Sequence, residues 1–319
     1  MQRRNRMGEH PTTFNLTHKP MKTKLYLFAM LLASTTLFTA CDNSGVNSPD
    51  NPSEPVKTKK FKFTLKGDFS SEWKPVTKKA PAANEYLSAD GKEMTDVWVF
   101  DYMGGELKQQ VHQVSTDEDF GVPQMDLQYG SHHVYFVVSR GQTPTVDTDA
   151  KTIVWTKPLD TFWVDYLCDV VATSNGNRSV TLDRAVTKLK LTFEDAIPSD
   201  AATINITPNT WYYGLNYATG EPCAAATDQV VTISIPSTEI GKTGVFTNMY
   251  GFSTVAQWTT DIAANSKTSV NVVLGSCTID DAPFKRNRIT EYSGPLFNAG
   301  GVMTLSLNTD WDDSYTGIW

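Results

Sequence analysis

Short runs of residues that alternate between apolar and polar recur along this chain from about residue 60 onward. Phe61, Phe63 and Leu65 alternate with lysine and threonine, and residues 188–194 repeat the pattern. Successive side chains of a strand point to opposite faces, so this alternation predicts strands with one buried face. Residues 134–138 are apolar throughout, as expected of a central strand that is buried on both faces. Further strands are predicted around residues 97–100, 204–206, 231–235, 270–272 and 305–307.

The residues between these runs are rich in Gly, Pro, Asn and Asp, and no amphipathic helix longer than two turns stands out. Short strands separated by turn formers predict an all-β chain built from antiparallel β-sandwiches. We place a boundary near 175–177, or just after a strand at 179–182. This gives an N-terminal sandwich over 60–183 and a C-terminal sandwich over 184–319, each about 130 residues long.

The segment before Cys41 has the pattern of a secretory signal. A basic start at Met21–Lys24 precedes the apolar run 25–38 and the small residues Thr39 and Ala40. A signal that ends on cysteine is typical of bacterial lipoproteins, in which the thiol takes a diacylglycerol and becomes the new N-terminus. We therefore expect residues 1–40 to be the signal region, translation to start at Met21, and Cys41 to carry lipid.

Two alternatives compete with this interpretation. A transmembrane helix would need about 20 apolar residues, and the run is shorter. An ordinary cleaved signal with an incidental cysteine stays open, because Phe38 stands where the usual lipobox has an aliphatic residue.

Residues 41–59 form the predicted linker. They contain three prolines and almost no apolar residues, which favours a flexible stalk with a mean reach of roughly 20–25 Å. Residues 1–40 hold six Lys or Arg and one Glu, so their removal lowers the formal charge from −7 to −12. A chain this acidic has no electrostatic attraction for nucleic acid, and none is expected as a partner.

The sequence offers little for catalysis or metal binding. His132 and His133 are neighbours on a predicted strand, so they point to opposite faces and do not readily ligate one metal. Residues 310–313 could be acid–base carboxylates or calcium ligands, but a solvated strand end is the simpler interpretation. No nucleophile, zinc or phosphate-loop motif is present, and we predict no enzyme activity and no cofactor.

Three cysteines follow Cys41, and the disulfide state of these residues stays open: Cys168, Cys223 and Cys277. An odd number leaves at least one unpaired, and small buried thiols are favoured over a disulfide framework. A Cys223–Cys277 bridge is the alternative.

One group of aromatic residues could contact a ligand or partner: Trp211, Tyr212, Tyr213 and Tyr217. Aromatic rings stack on sugar rings, and large aromatics also build most of a sandwich core. Core packing is the favoured interpretation, with glycan contact and a protein interface as alternatives.

Four segments resemble those of the fimbrillin superfamily of Bacteroidetes, the subunits of type V pili. Together with the lipoprotein signal, their order and spacing are similar to FimB-type anchor subunits in particular. The segments are 94–102, 129–137, 182–191 and 285–290.

The resemblance implies two tandem transthyretin-like sandwiches and an outer-membrane, surface-exposed fimbrial lipoprotein that acts in cell adhesion. Its implied partners are other fimbrial subunits, which assemble by β-strand exchange. In stalk subunits of this family a protease trims the N-terminal strand, whereas an anchor keeps its lipid. A cleavage site could lie at one of five basic residues: Lys57, Lys59, Lys60, Lys78 and Lys79. The segment 303–308, with the tail to Trp319, is a candidate donor or edge element.

Three other functions stay open at this point. The chain could be a FimA-like stalk or tip fimbrillin. It could instead be a glycan-binding surface lipoprotein of a nutrient-uptake system, with the Trp211 group contacting a bacterial or host glycan. A hydrolase with a non-local site is the least favoured.

Overall fold

The structure is a computed structural model, and it describes residues 56–67, 94–140, 144–252, 259–268, 272–280 and 284–297, with the backbone of 304–307. Cys41, the signal region, most of the linker, residues 310–313 and the C-terminal tail lie outside the described residues. All described residues belong to one compact unit. Among them, no helix is long and apolar enough to cross a membrane.

The described chain is all-β, as predicted, with twenty strands and a single 3-10 turn at Ser237–Glu239. The strands are β1 Thr58–Lys66, β2 Asp96–Met103, β3 Glu106–Val114, β4 Gln124–Gln128, β5 Gly130–Ser139, β6 Thr145–Asp147, β7 Thr152–Val154, β8 Thr161–Val170, β9 Asn177–Thr181, β10 Asp183–Arg184, β11 Thr187–Phe193, β12 Ala201–Pro208, β13 Trp211–Asn216, β14 Pro222–Ala226, β15 Val231–Ser234, β16 Val245–Gly251, β17 Thr260–Ser266, β18 Val273–Ile279, β19 Ile289–Gly294 and β20 Thr304–Leu307.

Two sheets form the first sandwich. Sheet A has the order β4-β1-β9 and sheet B the order β10-β8-β5-β2-β3. Their facing side chains build one apolar core, which includes Phe61 and Phe63 of β1, Val99 of β2, Phe136 of β5 and Phe162 of β8. Strand β5 is the central strand of sheet B and is buried on both faces over 134–138, which confirms the prediction from its apolar run.

Two further sheets form the second sandwich. Sheet D has the order β16-β11-β19-β20 and sheet E the order β15-β12-β17-β18. The alternating residues Leu189, Leu191 and Phe193 of β11 face Ile204 and Ile206 of β12 in a second apolar core. The alternation in the sequence therefore identified the buried face of both strands.

A fifth sheet, sheet C, joins the two parts of the sequence. Its order is β14-β13-β7-β6, so strands at 145–154 pair with strands at 211–226. A third core lies on the outer face of sheet B and includes Phe100, Tyr135, Trp155, Leu215 and Tyr217. The predicted boundary at 183/184 falls inside β10, and the division into two domains stays a prediction.

A buried ion pair lies next to this boundary. The Arg184 guanidinium donates from Nε and Nη2 to the two carboxylate oxygens of Asp160, at 2.7 and 3.0 Å. Its Nη1 also donates to Asn287 Oδ1 at 3.3 Å. This side chain therefore connects the loop before β8 with the turn before β19.

The sandwiches are expected to be antiparallel, and two strand pairs differ from this expectation. Strand β1 pairs parallel with β9, and β11 pairs parallel with β19. In each sandwich the first strand also pairs antiparallel with another strand, β4 or β16. Parallel neighbours need long connections, and each first strand is joined here to a strand about 100 residues later.

Candidate functional site

Strand β1 is the first strand among the described residues and lies in the middle of sheet A. Its residues 58–62 pair antiparallel with β4, and its residues 62–66 pair parallel with β9. The next strand among the described residues, β2, begins at Asp96 and belongs to sheet B. Both described partners of β1 therefore lie far along the chain, at 124–128 and 177–181.

The inward side chains of β1 fill the centre of the first core. Phe61, Phe63 and Leu65 are all essentially inaccessible to solvent. The Phe63 ring meets Phe136 of β5 edge to face, with centroids 5.1 Å apart. Burying two phenylalanines and a leucine contributes about 5–9 kcal/mol of apolar transfer free energy. β1 is thus a large part of this core although it lies at the start of the described chain.

The loop before β9 approaches β1 closely. The Lys62 backbone N–H donates to Gly176 O at 2.7 Å. A Cβ atom on Gly176 would lie 2.5 Å from Lys60 O, so glycine is the residue that permits this approach. The Asn175–Asn177 segment, which suggested a boundary from sequence, is therefore the loop that brings β9 against β1.

This arrangement can support strand exchange. If β1 left the sheet, β4 and β9 would each present an unpaired edge, and the apolar core would open between them. A groove of this kind accepts another extended segment through backbone hydrogen bonds and through pockets for alternate side chains.

The C-terminal strand is a second edge element. Strand β20 lies at the edge of sheet D and pairs antiparallel with β19. The predicted strand at 303–308 is present over Thr304–Leu307, and the tail after it lies outside the described residues. A role in donation stays a prediction.

The structure places three of the four candidate ligand aromatics in the cores. Trp211, Tyr213 and Tyr217 are buried, and Tyr212 is half-buried. The Trp211 indole packs against Gly251, where a side chain would not fit, and donates from Nε1 to Tyr250 O at 3.0 Å.

Tyr217 stacks on Phe100 with centroids 4.1 Å apart, and the Tyr217 and Tyr102 hydroxyl oxygens lie 2.9 Å apart. Burial raises the pKa of both Tyr213 and Tyr217. A sugar needs an accessible ring face, so an open platform made of all four rings is excluded by this packing. Core packing, the favoured interpretation, accounts for the buried positions.

The two neighbouring histidines point to opposite faces of sheet B, as predicted. His133 is exposed and lies 3.0 Å from Asp165. His132 is buried, with Nδ1 2.6 Å from Asp101 Oδ1 and Nε2 2.8 Å from Gln128 O. A carbonyl oxygen only accepts, so Nε2 carries a hydrogen that it donates to Gln128. Sequence reasoning missed this pair, although an aspartate inside the apolar run of β2 was a signal for it.

Burial raises the pKa of Asp101, and the hydrogen bond from His132 partly opposes that shift. Within the described residues, no three His, Cys, Asp or Glu side chains are grouped closely enough to hold a metal. The histidine–aspartate pair is therefore an internal polar contact of the first sandwich.

The three described cysteines are free thiols, and the alternative bridge between Cys223 and Cys277 is not formed. Cys223 lies on β14 of sheet C, whereas Cys277 lies on β18 of sheet E. Burial raises the pKa of Cys277 to about 11 and also raises the pKa of Cys168 and Cys223. These groups are protonated and poorly nucleophilic at neutral pH.

Comparison with known proteins gives similarity at the level of solved structures. No protein-family profile and no curated sequence matches the chain. A fimbrial assembly protein from Parabacteroides distasonis is 11% identical, with 79% of this chain and 97% of that chain covered and a TM-score of 0.45.

The tip fimbrial protein Mfa3 from Porphyromonas gingivalis is 10% identical, with 78% and 99% covered and a TM-score of 0.42. A candidate adhesin from Bacteroides ovatus is 11% identical, with 82% and 96% covered and a TM-score of 0.47. These three solved structures are thus an adhesin and two fimbrial proteins.

Proposed function

We propose that this chain is a subunit of a type V pilus, and that it acts in cell adhesion as a lipid-anchored anchor or minor subunit of the outer membrane. Its function is structural and not enzymatic. Its partners are other fimbrial subunits, which it contacts by exchanging a β-strand. The observation that supports the proposal is the place of β1, which is the first described strand and lies at the centre of sheet A.

The energetics of β1 fit an exchangeable element. Phe61, Phe63 and Leu65 supply apolar side chains at every second position, so a replacing strand needs the same spacing. The sequence of the C-terminal segment has this spacing at Met303, Leu305 and Leu307. A second copy, or another subunit with such a segment, would restore both the hydrogen bonds and the core.

The lipid decides which role the subunit takes. With lipid retained on Cys41, β1 stays connected to the membrane and the chain ends a filament there. With the chain cut between β1 and β2, for example at Lys78 or Lys79, the lipid and β1 would leave together and the same fold would become a stalk link. We favour the anchor, because the signal ends on a cysteine and the linker provides a tether.

Mass spectrometry of the mature N-terminus in purified pili tests this choice. A diacylglyceryl group on Cys41 in assembled pili is the expected result for an anchor. A new N-terminus well beyond Lys60 would identify a polymerising stalk subunit instead. Cells that lack the gene should shed pili or make pili of altered length, and unchanged, cell-bound pili would contradict the anchor role.

A peptide exchange experiment tests the groove itself. A specific protease site is inserted into the connection between Gly67 and Met94, the chain is cut, and a labelled peptide of residues 57–67 is added. We expect the peptide to replace the cut strand and remain bound during gel filtration.

The same peptide with Phe63→Asp should not bind, because a charge would enter the core. The matched control, Thr64→Asp, changes the outward neighbour and should bind normally. Equal binding of the two peptides would contradict a groove that recognises the inward side chains.

A further inference from the structure

One end of the first sandwich combines exposed apolar residues with lysines, at the place where the chain enters from the linker. We call it the tether end and define it by the start of β1 (56–60), the β2–β3 turn (104–105), the β4–β5 turn (129–131) and the loop before β9 (171–176). The strand register places these four segments together. The start of β1 pairs with the end of β4, and Gly130 of β5 pairs with Val170 of β8.

Direct contacts also connect these segments. The Lys59 ammonium donates to Ala172 O at 2.8 Å, and the Tyr129 backbone N–H donates to Lys57 O at 3.0 Å. The β2–β3 turn lies beside them, because Met103 pairs with His132. These loops and the first residues of β1 thus share one end of the sandwich.

The tether end exposes apolar side chains that the cores do not use. Val56 is 66% exposed, Val171 54% and Tyr129 37%, and Leu167 of β8 lies close behind at 68%. Scattered apolar residues are normal on a protein surface, but a cluster at one end marks a contact surface. Tyrosine is also enriched at membrane interfaces, and lysines beside apolar side chains are typical of segments that lie there.

The two ends of the first sandwich differ in their charged residues. None of the residues in the three loops of the tether end is charged, and Lys57, Lys59 and Lys60 lie beside them. Three acidic residues lie near these lysines: Glu106, which is paired with Lys108, Asp169, which accepts a hydrogen bond from Ser131, and Asp126, which lies opposite Lys60 in the pairing of β1 with β4.

The opposite end carries the acidic β3–β4 loop. Asp117, Glu118 and Asp119 are exposed there, and Gly121 O accepts a hydrogen bond from Leu65 N near the far end of β1. At about 3.3 Å per residue, the nine residues of β1 separate the two ends by about 30 Å. A negative surface would attract the tether end and repel the acidic loop, so it would orient the sandwich.

We propose that the tether end docks onto the anionic headgroups of the bilayer that holds the Cys41 lipid. This inference rests on the proposed lipidation. Residues 41–55 connect that lipid to Val56, and the linker expected from their sequence would have a mean reach of roughly 20 Å. This reach lets the lysines come within one Debye length of the headgroups, and each lysine that lies at the surface contributes about a fivefold gain in affinity.

Vesicle flotation tests the docking without the lipid. The mature chain from residue 41, with Cys41→Ser, is mixed with phosphatidylcholine vesicles that contain about 30 mol% phosphatidylglycerol, to supply an anionic surface. Flotation is measured first at about 10 mM salt, where the Debye length is about 30 Å, and then at about 150 mM salt. We expect flotation with these vesicles, none with pure phosphatidylcholine, and a loss at the higher salt.

A triple variant, Lys57→Gln with Lys59→Gln and Lys60→Gln, should bind roughly 100-fold more weakly. The matched control removes the same charge elsewhere, with Lys157→Gln, Lys242→Gln and Lys267→Gln, and should float like the parent. The two variants should have the same thermal unfolding midpoint as the parent, since surface changes of this kind cost little stability.

Equal flotation on neutral and anionic vesicles would overturn the docking proposal. An equal loss of vesicle binding in the two triple variants would also overturn it. Neither result bears on lipidation, which mass spectrometry of the mature N-terminus tests separately. If Cys41 carries lipid but the chain shows no preference for anionic vesicles, the anchor role stands and the proposed orientation at the membrane is wrong.

Discussion

Removing the Phe63 side chain should loosen sheet A by a measurable amount. The ring is inaccessible to solvent and meets Phe136, Tyr166 and Phe61 with centroid separations of 5.1, 6.1 and 6.0 Å. Replacement of a buried phenylalanine by alanine costs about 3–5 kcal/mol, because transfer free energy is lost and a cavity stays behind. At about 1.4 kcal/mol per factor of ten, this raises the population of the open state by roughly 100- to 3,000-fold.

Hydrogen exchange read by mass spectrometry measures this opening locally. Peptides that cover β1, β4 and β9 of Phe63→Ala should exchange faster by that factor, and urea unfolding should begin at a lower concentration. Thr64→Ala is the control, because it changes the outward neighbour on the same strand and should stay within about 0.5 kcal/mol. A cost below about 1 kcal/mol for Phe63→Ala would refute the reasoning, because β1 would then not be part of the core.

Three further predictions concern other parts of the chain. Asp101→Ala should lower the free energy of unfolding by about 3–5 kcal/mol, because His132 Nδ1 is left buried without its carboxylate partner, whereas Asp101→Leu with His132→Leu should recover most of that loss in urea unfolding. Iodoacetamide should label Cys277 slowly at pH 8 and faster as the pH approaches about 11. Its raised pKa also means that the unfolded thiol loses its proton first, so this group's contribution to stability is complete below pH 9 and is lost between about 9 and 11. Residues 60–183 and 184–319 expressed separately should bind a hydrophobic dye and lack a cooperative thermal transition, because the third core uses residues from both; two separately cooperative halves would contradict this.

The sequence predicted strands where alternation is long enough to be recognised. The buried faces of β1 and β11 follow directly from their patterns, and the uninterrupted apolar run in β5 predicted its central place. Short strands gave no such signal. Strands β6 and β7 have three residues each, which is too short for a period of two to be recognised.

The assembly of the sheets depended on long-range pairing that the sequence does not encode locally. Nothing near β1 indicates that its parallel neighbour lies more than 100 residues away at β9. The same holds for sheet C, where Ile153 of β7 pairs with Leu215 of β13. The aromatic group around Trp211 shows why a ligand site is hard to predict from sequence. Residue type alone does not decide whether a ring fills a core or faces a ligand.

The parallel and antiparallel partners of β1 have a mechanical consequence. If Cys41 is fixed in a membrane and the rest of the pilus is pulled away, the load enters the fold at Val56 and runs along the axis of β1. The hydrogen bonds to β4 and β9 lie across that axis, so they are sheared together and cannot open one at a time. The same strand that could be exchanged during assembly would then resist tension as a unit, and its resistance would come from both of its neighbours at once.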